Sequence, residues 1–360
     1  MAARQSHTGI RSGFLLYGST GFVGDAIARA AVQRGLRPVL AGRDAAKVGA
    51  QASELGLQHR AFGLDDASAL DSALGEVAAV LHCAGPFVHT FEPMLEGCLR
   101  TGTHYLDITG EIPVYEALAA RNAEAEARGI MLLPGVGFDV VPTDCLAAHL
   151  KRRLPSATRL ALAFHSVGPA QLPPGTASTF VEMVPYGTQV RRNGRLERAP
   201  RGEPPRMIDF GHGPLIATRV SWGDVFLAYY STGIPNIENF IVLPAQMRRM
   251  MEVVDFLRPL FHFAPVRRLV RRGMRAGSTA EERASTHTIV WGEVRDDQGG
   301  SAVARMHGPE AGVIWTSMTA LAAMQKVLAG NLRAGFQTPS LAYGVDFALE
   351  CAGVTREDVN

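Results

Sequence analysis

Residues 14–24 read FLLYGSTGFVG, and this stretch decides the fold. Its first four residues are an apolar run with the length of a buried parallel strand. A glycine-rich turn follows at 18–24, and apolar residues at helical spacing come next, over 25–34. A dinucleotide-binding unit begins with a strand, a glycine turn and a helix in this order. Glycines let the chain turn tightly beside a pyrophosphate, and the helix start offers free N–H groups to the phosphates.

The glycines of this turn are spaced Gly-x-x-Gly-x-x-Gly, which differs from the common Gly-x-Gly-x-x-Gly fingerprint. An ordinary glycine-rich turn before a helix therefore remains the alternative. We expect every residue of the turn to contact the cofactor: Gly18, Ser19, Thr20, Gly21, Phe22, Val23 and Gly24.

The end of the next predicted strand, at 36–42, bears on the choice of cofactor. A site for NAD places a carboxylate there for the ribose 2′-hydroxyl, whereas the 2′-phosphate of NADP suits a guanidinium. Gly42 stands where the acid would be and Arg43 follows it, which favours NADP(H), although Arg43 could also be a solvent-facing residue at a helix start. Asp44 fits a helix N-cap better than a ribose ligand. Asp65, after a third strand at 57–64, is placed to contact the adenine end.

Strands and helices alternate along the first 133 residues, which predicts an α/β fold with a doubly wound parallel sheet. The predicted strands are 14–17, 36–42, 57–64, 77–81, 103–108 and 130–133, and the later helices are 67–74, 91–100 and 112–128. Small residues follow the fourth strand, and ligands of open parallel sheets bind beyond the carboxyl ends of the strands. We therefore expect Cys83, Ala84, Gly85, Pro86 and Phe87 to lie at the nicotinamide. No His and acid pair is spaced to activate the Cys83 thiol.

Two further loops reach the same edge of the sheet, at 107–111 and 134–142. Asp107 and Asp139 could bind a substrate amine or relay a proton there, or they could cap the following turns. Capping is the favoured role for Glu111. Gly137 is a further candidate for contact with the cofactor.

Several motifs in this order resemble the saccharopine dehydrogenase-like oxidoreductases, a family that includes saccharopine reductases and the trans-acting enoyl reductases of lipid and polyketide assembly. The motifs are GSTGFVG, AGRD, HCAGPF, HYLDITGE, PGVGFDVVPTDCLA, the helix at 311–330 and the segment GFQTPS at 335–340. The resemblance implies NADP held by residues 18–24 and Arg43. It also implies a reaction centre near 83–87, Asp107 and 135–139.

The pattern of alternating strands and helices ends at about residue 154. Short strand-like runs at 158–164, 225–230, 237–243, 287–294 and 302–306 predict a second domain on a mostly antiparallel sheet. We place this substrate and dimerisation domain at 155–307, inserted into an NADP-binding domain that comprises 11–154 and 308–360. A helix predicted at 176–190, interrupted near Pro185, would lie over the nicotinamide. It carries Tyr186, a third candidate proton donor.

The composition is that of a soluble globular protein: 47% of residues are hydrophobic and the formal charge is +2, so no nucleic-acid partner is indicated. The four cysteines are scattered without a C-x-x-C or a flanking His pair, so we expect no metal site and a reducing cytoplasm. The polar N-terminus lacks the apolar core of a signal peptide. No apolar run approaches the about 18 residues that a membrane span needs.

These observations predict an NADP(H)-dependent oxidoreductase that transfers hydride to a C=N, C=C or C=O carbon. Its substrate would be amino-acid-derived or acyl, either free or tethered to a carrier, and we expect a homodimer. Two alternatives remain: a non-redox NADP-binding scaffold or sensor, and an accessory factor that docks on a membrane or an acidic carrier through the arginine-rich stretch 248–275. That stretch could equally be a solvated arginine face, because arginine is abundant throughout this chain.

Overall fold

The computed structural model describes residues 11–170, 173–200, 202–272 and 277–359. The strands are β1 Phe14–Tyr17, β2 Val39–Gly42, β3 His59–Ala61, β4 Ala79–His82, β5 His104–Asp107, β6 Met131–Leu133, β7 Arg159–Val167, β8 Gln189–Arg192, β9 Arg195–Arg198, β10 Arg206–Asp209, β11 Pro214–Val220, β12 Asn236–Val242, β13 His287–Arg295, β14 Ser301–Pro309, β15 Gly335–Phe336 and β16 Thr355–Asp358. The α-helices are α1 Phe22–Gln33, α2 Ala45–Leu55, α3 Ala67–Gly75, α4 Phe91–Thr101, α5 Ile112–Ala120, α6 Asn122–Ala127, α7 Val141–Arg153, α8 Pro174–Met183, α9 Asp224–Thr232, α10 Ala245–Phe256, α11 Ala264–Arg272, α12 Ala280–Ala284, α13 Thr316–Leu328 and α14 Pro339–Tyr343.

The first sheet of the described chain is parallel throughout, with the strand order β15-β6-β5-β4-β1-β2-β3. Leu16 of β1 lies beside Leu40 of β2 on one side and Leu81 of β4 on the other. The order reverses at β1, because β2 leaves it in one direction and β4 lies in the other. Helices cover both faces of this sheet, so the predicted doubly wound Rossmann sheet is confirmed.

The two faces of the parallel sheet build separate apolar layers, since successive side chains of a strand point to opposite faces. Leu16 and Leu81 face a layer that also contains Ile27 of α1. Leu15 and Val80 face the other layer, with residues of α3 and α4. The central strands β1 and β4 are buried on both sides, which explains why they read as apolar runs rather than alternating ones.

The second sheet is mostly antiparallel, as predicted. Its main order in the described residues is β10-β11-β12-β7-β13-β14-β16, β8 pairs with β12, and β9 pairs with β8. The pair formed by β12 and β7 is parallel. The final strand β16 pairs with β14 in this sheet, although it lies within the terminal segment that we placed in the nucleotide domain. The limits of the two domains remain a prediction.

Helix α7 joins the two sheets through direct packing. It follows β6 of the parallel sheet and lies on β13 of the second sheet. A Cβ atom at Gly292 of β13 would come within 2.7 Å of the Leu150 side chain, so the helix packs directly against the strand backbone there. Leu146, Leu150, Val290 and Val294 belong to the same apolar layer as Leu16. The two parts of the chain therefore share a core.

Three predicted elements differ in the structure. The strand expected at 225–230 is helix α9, whose aromatic residues favour strands locally but pack here around a helix that ends at the left-handed Gly233 (φ +69°). The long helix at 112–128 divides at Arg121 into α5 and α6. The helix expected at 176–190 ends at Met183, and a 3-10 turn, Val184–Tyr186, precedes β8.

Candidate cofactor and substrate site

The glycine turn after β1 has no room for side chains at two of its glycines. Gly18 has φ +84°, and a Cβ there would lie 2.8 Å from the backbone nitrogen of Ala84. A Cβ at Gly24 would lie 2.2 Å from the carbonyl oxygen of Gly18. Glycine is therefore required for the tight turn and for the close approach of residues 83–90, which follow β4 and which we call the β4 loop.

Hydrogen bonds fix the shape of this turn. The N–H of Gly18 donates to the carbonyl of Ala41 at 2.8 Å, and the Gln51 amide donates to the carbonyl of Ser19 and to Asp25, both at 2.9 Å. Ser19 is buried, and its hydroxyl has no partner within the described ranges. The turn is thus held in place by β2 and α2 on either side of it.

The start of α1 is suited to an anion. Gly21 occupies its N-cap position without a side chain to accept a hydrogen bond. In the described part of the chain, the N–H groups of Phe22, Val23 and Gly24 have no acceptor. A pyrophosphate would supply these acceptors and meet the positive end of the helix dipole, so the residues present fit a dinucleotide.

Arg43 and Asp65 both lie on the surface, beyond the carboxyl ends of β2 and β3. Their charges act in opposite directions on the pKa of Tyr17 at the end of β1, which burial raises to about 12. The Arg43 guanidinium forms no hydrogen bond or ion pair with any other described residue. It is therefore available to an incoming phosphate. Asp44, next in the chain, caps α2 by accepting from the N–H of Lys47, as expected.

The segment 83–87 lies directly beside the glycine turn. The N–H of Cys83 donates to the carbonyl of Tyr17 at 2.8 Å, and the backbone of Ala84 packs against Gly18. Burial raises the pKa of the Cys83 thiol well above its usual range, which disfavours a thiolate nucleophile. Contact between these residues and the nicotinamide remains a prediction.

A buried histidine, which the sequence did not single out, holds this loop. The Nε2 atom of His82 lies 3.0 Å from the Thr90 hydroxyl, which in turn donates to the carbonyl of Ala84 at 2.7 Å. Burial lowers the pKa of His82 to about 3, so the imidazole is neutral. His82 therefore shapes the loop instead of carrying charge. No signal in the sequence pointed to this role, because His82 ends an otherwise apolar strand.

Glu111 is buried and accepts hydrogen bonds from the β4 loop and from helix α8. Its carboxylate accepts from the N–H groups of Phe87 at 2.9 Å and Val88 at 2.7 Å, and from the Thr179 hydroxyl of α8 at 2.9 Å. Burial raises its pKa, and these hydrogen bonds oppose the rise. Although it occupies the N-cap position of α5, its side chain does not cap that helix. The capping role favoured from the sequence is wrong, because the nearest free N–H groups belong to another loop.

Asp107 is fully buried at the end of β5, and its carboxyl group is occupied by structural partners. One oxygen accepts from the N–H groups of Thr109 at 3.0 Å and Gly135 at 2.9 Å, and the other accepts from the Tyr105 hydroxyl at 2.7 Å. Burial raises the pKa of Asp107 to about 6. Asp107 thus ties together the two loops at this edge and presents no oxygen to a substrate. Its expected role in proton transfer does not fit this geometry.

Asp139 differs from Asp107 in its surroundings. Its main-chain carbonyl accepts from the Trp222 indole at 2.8 Å, which fixes the residue, and its carboxyl lies against Gly110. Its side chain is partly exposed and has no hydrogen-bonding partner among the described residues. Burial raises the pKa of Asp139 to about 7. The group can therefore hold a proton near neutral pH, as a general acid must.

Gly137 lies in the same loop and is buried. A Cβ there would lie 3.1 Å from the Thr316 side chain at the start of α13 and 3.5 Å from Ile108. The structure therefore gives Gly137 a packing role, and its contact with the cofactor remains a prediction.

A cavity of about 470 Å³ lies where the β4 loop meets the second domain. Its lining residues are Val88, His89, Glu182, Met183, Pro185, Tyr186, His262 and Arg267. Tyr186 is largely exposed at this cavity, in the 3-10 turn after α8. Glu182 is buried and pairs with His89 at 3.6 Å and Arg267 at 2.9 Å. The cavity is thus bordered by polar groups from both parts of the chain.

A second cavity, of about 590 Å³, is lined by Arg34, Lys326 and Glu350 among others. It lies at the end of α1 opposite the glycine turn, so we do not assign it to the cofactor. The described residues contain no group of three His, Cys, Asp or Glu side chains that could hold a metal ion. Among the helices described, none has the length and apolar character needed to cross a bilayer.

Comparison with known proteins places residues 14–133 in the family model of the saccharopine dehydrogenase NADP binding domain. A trans-acting enoyl reductase of Mycobacterium leprae is 32% identical over 148 residues, which cover 39% of this chain and 35% of that protein. A saccharopine dehydrogenase-like oxidoreductase of Mus musculus is 28% identical over 92 residues, or 25% of this chain and 21% of that protein. The matched part thus spans about a third or less of the length of these relatives.

Apo saccharopine dehydrogenase (L-Glu forming) from Saccharomyces cerevisiae has the same fold, with a TM-score of 0.67 at 13% identity over 97% of this chain and 100% of that one. The family model covers the segment from β1 to β6, which contains the glycine turn, the β4 loop and Asp107. Residues 14–133 thus match an NADP-binding domain, and the chain as a whole shares the fold of yeast saccharopine dehydrogenase.

Proposed function

We propose that this protein is an NADPH-dependent reductase acting on a C=C, C=N or C=O bond of an acyl or amino-acid-derived substrate. The observation that supports this proposal most directly is the cavity beside residues 83–87. It opens next to the loop expected at the nicotinamide and is bordered by the second domain. Ligands commonly bind at such junctions between domains.

A bound nicotinamide would supply the hydride for the proposed reaction. The free N–H groups of Phe22, Val23 and Gly24 would hold the pyrophosphate, and Arg43 would pair with the 2′-phosphate. The backbone of 83–87 would contact the nicotinamide. The His82–Thr90 pair and Glu111 keep that backbone in position.

A proton must accompany the hydride, either to the α-carbon of an enoyl thioester or to the nitrogen or oxygen of the other two bonds. We assign Asp139 as its donor, because the group is partly exposed and its pKa of about 7 keeps it substantially protonated near neutral pH. Tyr186 is the second candidate, since it lies at the cavity. Asp107 is excluded from this role in our proposal, because structural partners occupy both of its oxygens.

Among the possible substrates, an enoyl thioester agrees with the names of the mycobacterial relatives, which are trans-acting enoyl reductases. Such a substrate could be presented on an acyl carrier. The cytoplasmic location and the homodimer expected from the sequence remain predictions. They do not affect the choice of reaction.

The test is to measure NADPH oxidation by the purified protein with an enoyl thioester of pantetheine, a cyclic imine and a ketone, each supplied separately. The same enoyl group loaded on an acyl carrier protein shows whether a carrier improves turnover. We expect turnover with one of the three bonds. Tight binding of NADPH without turnover on any of them would instead favour a scaffold or sensor that retained only the nucleotide site.

A further inference from the structure

The segment comprising α10, the 3-10 turn Arg258–His262 and α11 exposes an unusual amount of apolar surface, and we refer to it as the apolar-basic face. Helix α10 has no buried residue among those described. Phe256 is 75% exposed, Leu269 is 71% exposed and Phe263 is 63% exposed. Met250, Val253 and Leu260 are also exposed. Large apolar side chains exposed together in one segment indicate a surface that binds another protein or a membrane.

Four apolar residues of α10 form a row that winds around the helix. Met247, Met250, Val253 and Phe256 follow one another at intervals of three residues, so neighbours in the row lie close together, while its two ends lie on opposite sides of the helix. All four side chains are exposed. Among the described side chains of this segment, Phe261 in the turn that follows is buried and helps to anchor it.

The same segment carries a strong positive charge. Residues 245–272 contain seven arginines against two acidic residues. Arg249 and Arg268 are exposed, and neither has an ion-pair partner in the described ranges. Arg267 points inward instead, where it pairs with Glu182 and donates to the carbonyl of Phe261. The side chains of Arg271 and Arg272, and all of Arg275, lie outside the described residues.

We propose that the apolar-basic face docks on the surface of an anionic membrane. Helices that lie in the interface combine exposed aliphatic and aromatic side chains, which enter the acyl boundary, with arginines that contact lipid phosphates. A second copy of this chain fits the face less well, because its own arginines would meet those of the first copy with too few acidic residues to compensate them. A folded acidic partner would provide the charge complement but not the hydrocarbon layer that seven or more exposed apolar side chains match.

The position of the face connects docking with the cavity beside the β4 loop. His262 and Arg267 line that cavity and belong to the same segment as the exposed Leu260 and Phe263. Docking would therefore bring the mouth of the cavity close to the lipid. The docking itself does not depend on the proposed reaction, so the two can be tested separately.

The test is flotation of the full chain with vesicles of phosphatidylcholine alone and with vesicles that also contain phosphatidylglycerol. We expect the protein to float with the anionic vesicles and added salt to weaken this association. Replacing Arg249→Gln and Arg268→Gln together should reduce partitioning roughly 25-fold, at roughly fivefold for each arginine. Replacing Phe256→Ser and Leu269→Ser together should reduce it by about tenfold or more, because each removes apolar surface from the lipid.

Two exposed residues on other elements serve as matched controls. Arg152→Gln on α7 removes an exposed arginine and Met207→Ser on β10 removes an exposed apolar side chain, and both should leave flotation unchanged. All of these variants should bind NADPH normally, which separates loss of docking from loss of the nucleotide site. Equal flotation of both double variants and the parent chain would overturn the proposal. So would self-association through this face, or binding to an acyl carrier protein column without binding to vesicles.

Discussion

At the scale of single residues, two aspartates of one sheet edge differ in chemistry because their surroundings differ. Asp107 accepts three hydrogen bonds and is fully buried, whereas Asp139 is partly exposed and has no hydrogen-bonding partner in the described structure. Burial raises the pKa of both, to about 6 and about 7. In our proposal Asp139, and not Asp107, delivers the proton, because the oxygens of Asp107 already hold the loops together.

Asp139→Asn tests this assignment. A general acid with a pKa of about 7 is protonated below that pH, so the kcat of the parent enzyme should fall tenfold per pH unit above it. The variant should lose roughly 100-fold to 10000-fold in kcat at pH 6, and its residual rate should lack this descending limb. The pH profile of kcat for NADPH oxidation measures both effects. If Tyr186→Phe removes the limb while Asp139→Asn keeps it, Tyr186 is the donor.

Asp139 also predicts a dependence of stability on pH. Its pKa is raised from 3.8 to about 7 on folding, so the folded state keeps a proton that the unfolded state loses. The contribution of this group to the free energy of unfolding is therefore complete below pH 4 and declines as the pH rises toward 7. Asp139→Asn should lack this decline, as urea unfolding at several pH values would show. An equal slope in both proteins would mean that Asp139 is ionised when folded.

In our proposal, Arg43 sets the preference for NADP(H) over NAD(H). Arg43→Ala should weaken NADPH binding by about thirtyfold, which corresponds to roughly 2 kcal/mol for a charged contact with the 2′-phosphate. NADH binding should be nearly unchanged. Calorimetric titration of both cofactors measures the difference, and Lys47→Ala provides an exposed cation close by as the control. Equal losses for NADPH and NADH would remove Arg43 from the phosphate site.

At the scale of secondary-structure elements, the glycine turn between β1 and α1 is tightly constrained. Its geometry is determined by contacts with three neighbours: the end of β2, Gln51 of α2 and the β4 loop. The turn therefore cannot relax around an added side chain without moving those elements. The start of α1 would then lose the arrangement of free N–H groups that suits a pyrophosphate.

Gly24→Ala tests this constraint. The added methyl would lie 2.2 Å from the carbonyl oxygen of Gly18, so the turn must shift, at a cost of roughly 1 to 3 kcal/mol in the free energy of unfolding. NADPH affinity should fall at the same time. Gly75→Ala at the end of α3 is the control, because a Cβ there meets nothing within 4 Å. Thermal unfolding and NADPH titration of the two variants provide the comparison, and equal behaviour would show that the turn adapts.

At the scale of the whole molecule, Glu111 links the nucleotide domain to α8. Thr179→Val removes one hydrogen bond from that link and should lower the free energy of unfolding by about 1 kcal/mol. Glu111→Ala should cost roughly 3 kcal/mol, since the N–H groups of Phe87 and Val88 lose their buried acceptor. Faster amide exchange at these two residues would locate the effect. Glu116→Ala, an exposed change on the same helix, should have an effect within about 0.5 kcal/mol.

The sequence alone determined the parallel sheet, the glycine turn and the NADP-binding domain, because strand length, glycine spacing and helix periodicity are local properties of the chain. It also identified the cap at Asp44, which depends on a residue three positions away. Only the tertiary structure decided that 225–230 is a helix and that Glu111 serves a distant loop. Only it separated the roles of Asp107 and Asp139. Burial and long-range hydrogen bonding set those outcomes, and neither can be deduced from neighbouring residues.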